Sequence, residues 1–188
     1  PGFSWINYGV TKCITTTDSQ KEYISGLFPS VEVSVIKPSI PEYFKTSKKP
    51  KTPLVAIHTR DPRETMKIIK EFYLRNPQFK WLTFRDMRNM SREEFAKVLG
   101  EACVGVWVDR ISGFGTFPLE SMSCKTPVIG NLPILKPDWL SQENGLWVYD
   151  ESKIVEVLGN YIKNWLEDNL PAKLYEEMEK TVAPYKEE

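Results

Sequence analysis

The sequence predicts an α/β domain with a Rossmann-like, mainly parallel sheet and helices on both faces. Short runs rich in β-branched and aromatic residues alternate with stretches of helical periodicity. Strands separated by helices imply βαβ units, and those build parallel sheets. At 188 residues the chain is long enough for one domain with a real core and short for two.

The elements follow in order. Residues 12–17 (KCITTT) read as a strand, and Asp18 or Ser19 caps a helix to about Leu27. Residues 31–36 (VEVSVI) alternate as a strand does. A connector rich in Pro, Ser and Lys spans 37–52 and is the best boundary in the chain. Residues 1–36 are therefore expected to be the tail end of a preceding domain or a linker element, and 37–188 the main domain. Within it, 54–58 is a strand, and 62–74 a helix with Met66, Ile69, Phe72 and Tyr73 on one face. A strand at 79–84 precedes a helix at 91–99, which opens on a capping box, Ser91-x-x-Glu94. Residues 104–108 (VGVWV) read as a buried strand. A helix at 118–124, strands at 127–129 and 146–149, and helices at 151–165 and 172–180 complete the pattern. Leu54, Val104 and Val128 are expected in central strands, and no internal repeat is evident.

Composition narrows the function. Lys+Arg and Asp+Glu are 25 each, so the strong basic excess of a dedicated nucleic-acid binder is missing. No apolar run approaches the roughly 18 residues that span a bilayer, and no secretory signal is visible. Cys13, Cys103 and Cys124 are odd in number and lack CxxC spacing. That argues against zinc and a disulfide framework and points to a reducing cytosol. The first methionine is Met66, so the chain is expected to be a piece of something longer.

The chemistry concentrates in residues 104–131. A hydrophobic strand ends near Asp109, and Ser112-Gly113-Phe114-Gly115-Thr116-Phe117 follows. Pro118 then stands where a helix begins, its fixed φ suited to a first helical position. Two glycines let the backbone turn sharply and leave amides unshielded. Such amides and the helix dipole form an anion site, with phosphate the expected anion. Glu120, in the first turn, is placed to accept hydrogen bonds from ribose hydroxyls. The same residues also read as a tight strand-to-helix turn with an acid complementing the dipole. The loop is neither a P-loop nor GxGxxG.

Here a family resemblance enters. Gly113 to Met122 (GFGTFPLESM), followed by Cys124 to Ile129 (CKTPVI), resembles the pattern E-G-F-G-x-P-x-L-E-A-M-A-x-G-x-P-V of retaining GT-B glycosyltransferases of the group-one type. Asn144-Gly145-Leu146-Trp147-Val148 is similar to their N-G-x-L-V. Val35 to Phe44 resembles their interdomain segment, and His58-Thr59-Arg60 sits where they place a Gly-Arg pair. The resemblance runs from about Val35 to Trp165. It implies that 37–188 is a nucleotide-sugar-binding domain, the C-terminal half of a two-domain fold, with the acceptor site on an N-terminal partner domain. By the same resemblance, amides at Gly115, Thr116 and Phe117 would meet the nucleotide diphosphate, and Glu120 would hold the ribose. Arg60 would neutralise phosphate charge, helped by Arg63, and Ser112, Gly113 and Phe114 would face the donor sugar. Ser112 stands where the family has its first glutamate, Lys125 replaces a glycine, and the base contacts fall by guess to Arg85 and Asp86.

The resemblance also implies sugar transfer from a nucleoside-diphosphate sugar to a glycan, lipid or other acceptor, without a divalent metal or other cofactor. The chain has no Asp-x-Asp. Two alternatives stay open: a sugar-nucleotide epimerase of the same architecture, and a non-catalytic nucleotide-binding or interaction module. His58, the sole histidine, lies at a strand end, where a structural role stands beside a phosphate or sugar contact. Trp165 and Lys163 offer a membrane contact, set against an ordinary packed helix.

Overall fold

A computed structural model describes residues 4–186. Two parallel strands, β1 (Lys12–Thr15) and β2 (Glu32–Val35), flank helix α1 (Asp18–Leu27), which Thr17 caps by accepting from the Gln20 amide. The remainder is built on five strands: β3 (Thr52–Thr59), β4 (Thr83–Asp86), β5 (Ala102–Val108), β6 (Val128–Asn131) and β7 (Leu146–Val148). All pair in parallel, in the order β4-β3-β5-β6-β7. From β3 the chain moves outward to β4, then returns past β3 to β5 and runs the other way. The switch point therefore lies between β3 and β5, where sheets of this kind open a crevice at the strands' carboxyl ends.

Burial explains the strands. All seven residues of β5 are buried, as a central parallel strand covered on both faces requires. Helices α2 (Pro62–Arg75) and α5 (Ile154–Leu166) cover one face, with Ile68, Phe72, Leu158 and Ile162 packed on Val55, Ile57 and Val106. Helices α3 (Arg92–Glu101), α4 (Thr116–Ser123) and α6 (Ala172–Val182) cover the other, where Leu99, Leu119 and Met178 meet Ala56 and Trp107. Leu54, Val104 and Val128 lie in β3, β5 and β6, none of which is a sheet edge. No helix among the described residues is long and apolar enough to cross a membrane.

Several expected boundaries move, three of them for identifiable reasons. The strand expected at 79–84 is Thr83–Asp86; Pro77–Phe79 instead forms a 3-10 turn. Pro77 starts that turn, and the Leu82 carbonyl is taken by the Tyr73 hydroxyl at 2.5 Å before β4 begins. Helix α4 starts at Thr116, not Pro118. A proline in the first turn is still tolerated, because first-turn amides have no intrahelical acceptor. The helix expected from Glu151 opens as a 3-10 turn, Glu151–Lys153, with Asp150 accepting from the Ser152 amide.

The connector between β2 and β3 is folded onto the domain. Lys51 Nζ donates to the carbonyls of Leu99 (3.2 Å), Gly100 (3.0 Å) and Cys124 (2.8 Å) and meets Thr126 Oγ1 at 2.5 Å. One ammonium thus closes the C-terminal ends of α3 and α4, whose last carbonyls lack helical partners. Burial holds its pKa down to about 8. Lys51→Ala is expected to cost about 1–3 kcal/mol by stranding these acceptors. The denaturation midpoint in urea measures it, and an unchanged midpoint would show that water replaces the ammonium.

Candidate functional site

The crevice is built from the ends of adjacent strands. His58 and Thr59 of β3 lie beside Trp107 and Val108 of β5, which brings Arg60 next to Asp109. Arg60 Nε donates to Asp109 Oδ1 at 2.7 Å. The same oxygen accepts from the amides of Ile111 (3.2 Å) and Ser112 (3.0 Å). Asp109's own amide donates to Asn131 Oδ1 at 3.1 Å. One carboxylate and its peptide thereby tie together the ends of β3, β5 and β6 and the start of the glycine loop. Arg60 and the Ser112 amide, far apart in sequence, thus share one carboxylate oxygen.

Each loop residue has a defined setting. A side chain on Gly113 would place its first carbon 1.8 Å from Gln20 Nε2 of α1. Gln20 is itself held, its Oε1 accepting from the Thr16 amide (3.1 Å) and hydroxyl (2.8 Å). The Phe114 ring is buried against Tyr185, centroids 5.8 Å apart. Its carbonyl accepts from Trp139 Nε1 at 2.6 Å. The Phe114 ring thus serves the core. Gly115 has φ of 71°, and a β-carbon there would lie 2.8 Å from the Trp107 ring. It is also the N-cap of α4, and no side chain caps that helix. The Thr116 and Phe117 amides open the helix, Pro118 contributes none, and Thr116 is exposed.

Glu120 sits deeper than expected. It is 2% exposed, and its Oε1 accepts from Arg92 Nη2 at 2.6 Å. Arg92 rises from the start of α3 and lies over the Phe44 ring, 4.9 Å from its centroid. Burial pushes the Glu120 carboxyl above the usual range, while Arg92 pulls it back. Arg63 is not gathered with Arg60. It pairs with Asp61 at 2.7 Å, 91% exposed, over the outer face of α2 beside Met66, Lys67 and Lys70. Past β4, Arg85 pairs with Glu94 (2.8 Å), and Asp86 is engaged by Arg88. The His58 ring stacks on Phe117, centroids 5.3 Å apart and planes at 14°, with Phe95 edge-on at 6.3 Å.

No family model matches the chain. It is 30% identical over 100 residues to an alpha-1,6-glucosyltransferase of Actinobacillus pleuropneumoniae serotype 7 (strain AP76), a stretch covering 52% of this chain and 30% of that protein. The crystal structure of the pneumococcal O-GlcNAc transferase GtfA in complex with UDP and GlcNAc matches 96% of this chain with a TM-score of 0.67 and 17% identity. The C-terminal domain of a group 1 glycosyl transferase, LpcC from Francisella tularensis, matches 78% of this chain and is itself 98% covered, with a TM-score of 0.55 and 16% identity. By fold, the chain resembles one domain of these glycosyltransferases. It spans 43% of the GtfA chain and 30% of the glucosyltransferase, so it has the size of a domain of those proteins.

Three residues of the site escaped the sequence reading. Asp109 carried a usable signal, since it directly follows a buried strand. Arg92 and Gln20 carried none: their partners lie on other elements, and no periodicity connects them.

Proposed function

We propose that the chain is the donor-binding half of a retaining GT-B glycosyltransferase that takes a sugar from a nucleoside-diphosphate sugar and passes it to a glycan, lipid or other acceptor. The observation carrying this reading is the uncapped start of α4 in the loop that follows the carboxyl end of β5, where Asp109 holds both Arg60 and the Ser112 amide. Amides at Gly115, Thr116 and Phe117 meet the diphosphate, where the helix dipole favours negative charge. Arg60 exchanges Asp109 for a phosphate oxygen and stabilises the leaving diphosphate as the glycosidic bond breaks. Glu120 reaches the ribose hydroxyls once Arg92 moves aside or shares it. Ser112 and the Gly113 backbone lie toward the sugar. Gly113 and Gly115 read as clearance for the backbone, and UDP in the GtfA complex supports a uracil nucleotide as the first probe.

Residues 1–36 are, on this reading, the tail end of the acceptor-side domain or a linker element. Ile14, Tyr23, Leu27 and Ile36 are exposed on the β1–α1–β2 unit, and two parallel strands do not bury enough surface alone. The three free thiols, with Cys103 and Cys124 buried and pushed up to about 12, fit a reducing, cytoplasmic setting. The second reading is nucleotide binding without turnover. Ser112 in place of the family's glutamate and the carboxylate already on Arg60 favour it.

Calorimetry with UDP, GDP and ADP tests the site. Glu120→Ala is expected to weaken binding by about 1.5–3 kcal/mol, the loss of a hydrogen bond to a charged group. Ser112→Ala should weaken it much less, because a neutral hydroxyl is the weaker partner. A folded chain that binds none of the three nucleotides would remove the nucleotide-site reading.

A further inference from the structure

His58 is the polar residue of the crevice whose surroundings packing does not explain. Along β3, Val55 and Ile57 face α2 and α5, while Ala56 packs toward α3 and α4. His58, two residues on from Ala56, stacks flat on Phe117 in the first turn of α4 and meets Phe95 edge-on. A phenyl ring would fill that aromatic slot as well. Instead the slot holds an imidazole whose Nδ1 is buried with no hydrogen-bond partner. Among the described residues it is the one buried side-chain nitrogen or oxygen so stranded.

The stranded nitrogen fixes the tautomer. A buried N–H without an acceptor forfeits its hydrogen bond outright, whereas a lone pair is less costly to leave unshared. The proton therefore belongs on Nε2, at the tip of the ring, the nitrogen left to meet a ligand. Burial lowers the imidazole's pKa and keeps it neutral near pH 7. The charged groups around it are Asp109 and Asp86, which favour the proton, and Arg88 and Arg60, which oppose it.

We propose that His58 is a donor-site residue whose Nε2–H gives a hydrogen bond to a diphosphate oxygen of the nucleotide bound at the start of α4. This rests on the nucleotide-site reading above and adds to it a contact that the family pattern does not supply, since the matching pair there is Gly-Arg. Arg60 already holds Asp109 through its Nε. His58 has no such competitor and offers its donor in the free protein.

The test uses this chain, UDP, and its single histidine. His58→Phe keeps the stack on Phe117 and removes both nitrogens, and His58→Gln returns an N–H donor near the position of Nε2. His58→Phe is expected to bind UDP about ten-fold more weakly, as for loss of a hydrogen bond to a charged oxygen, and His58→Gln to recover part of that. Nitrogen-15 NMR of the wild type should show a neutral Nε2–H imidazole whose resonances shift as UDP saturates the site. Unchanged affinity in His58→Phe, equal loss in both variants, or imidazole resonances that stay put at saturating UDP would overturn the contact while leaving the nucleotide site standing. Failure of the wild type to bind UDP, GDP or ADP would instead remove both together.

Discussion

Gly115→Val is expected to destabilise the chain by roughly 3 kcal/mol or more and to abolish nucleotide binding with it. Two costs add. At φ of 71° the backbone is in the left-handed region, which costs a side chain with a β-carbon about 1–2 kcal/mol and a β-branched one more. The new β-carbon would also sit 2.8 Å and 2.9 Å from two atoms of the Trp107 ring. That ring is 1% exposed and boxed in by Trp139 and Trp147, with centroids 6.4 Å and 6.3 Å away, so it has no room to step aside. Over-packing of this kind typically costs about 1–3 kcal/mol. Gly113→Ala is the informative contrast. Its β-carbon would strike only the far end of the Gln20 side chain, which can rotate away at the loss of its hold on Thr16. Urea denaturation of both variants separates the cases. A Gly115→Val chain as stable as the wild type would mean that the loop readily adopts another backbone path, and the amide geometry at α4 would lose its claim to be preformed.

The isolated chain is expected to bind a nucleoside diphosphate and to transfer no sugar. The described residues supply one wall of a cleft: the strand ends, the glycine loop and the start of α4. Affinity needs only that wall. Transfer also needs an acceptor hydroxyl held in line with the breaking bond, and positioning of two reactants accounts for roughly 7–11 kcal/mol of barrier lowering. Loss of that term puts turnover out of reach of ordinary assays. Incubation with labelled UDP-glucose and candidate acceptors, followed by separation of glycoside, free sugar and intact donor, reads the outcome. Glycoside formed by the chain alone would overturn the division of labour; isomerised sugar nucleotide would convert the reading to an epimerase.

What the sequence made legible was whatever repeats locally. β5 is apolar at nearly every position because both of its faces are covered, and that pattern is visible without coordinates. The cap at Ser91 marks a helix start that the chain uses, while α1 is capped one residue before the expected Asp18 or Ser19, by Thr17. The glycine loop and Glu120 stood out through spacing and family pattern. What stayed hidden depends on distance along the chain. The Arg60–Asp109 pair spans 49 residues and the Arg92–Glu120 pair 28, and neither leaves a periodic trace. The register of β4 was hidden for another reason. Phe79 and Leu82 are buried like strand residues but lie in and just beyond a 3-10 turn, so an apolar run alone could not tell the two apart.

The pairing of Ile40 with the far end of the chain bears on how the domain is made. Ile40 donates its amide to the Tyr185 carbonyl and bridges to Lys186, and the Tyr185 ring backs Phe114 of the glycine loop. During synthesis every strand of the sheet leaves the ribosome before Tyr185 does. Until then Ile40, Phe114 and Met122 lack the cover of α6 and the turn after it, and contacts of such long sequence separation form late. The glycine loop is thus backed by a segment that arrives after every strand of the sheet. A nascent chain that has emerged only as far as residue 171 would display a paired sheet and a glycine loop still unbacked, the state in which a chaperone has most to hold.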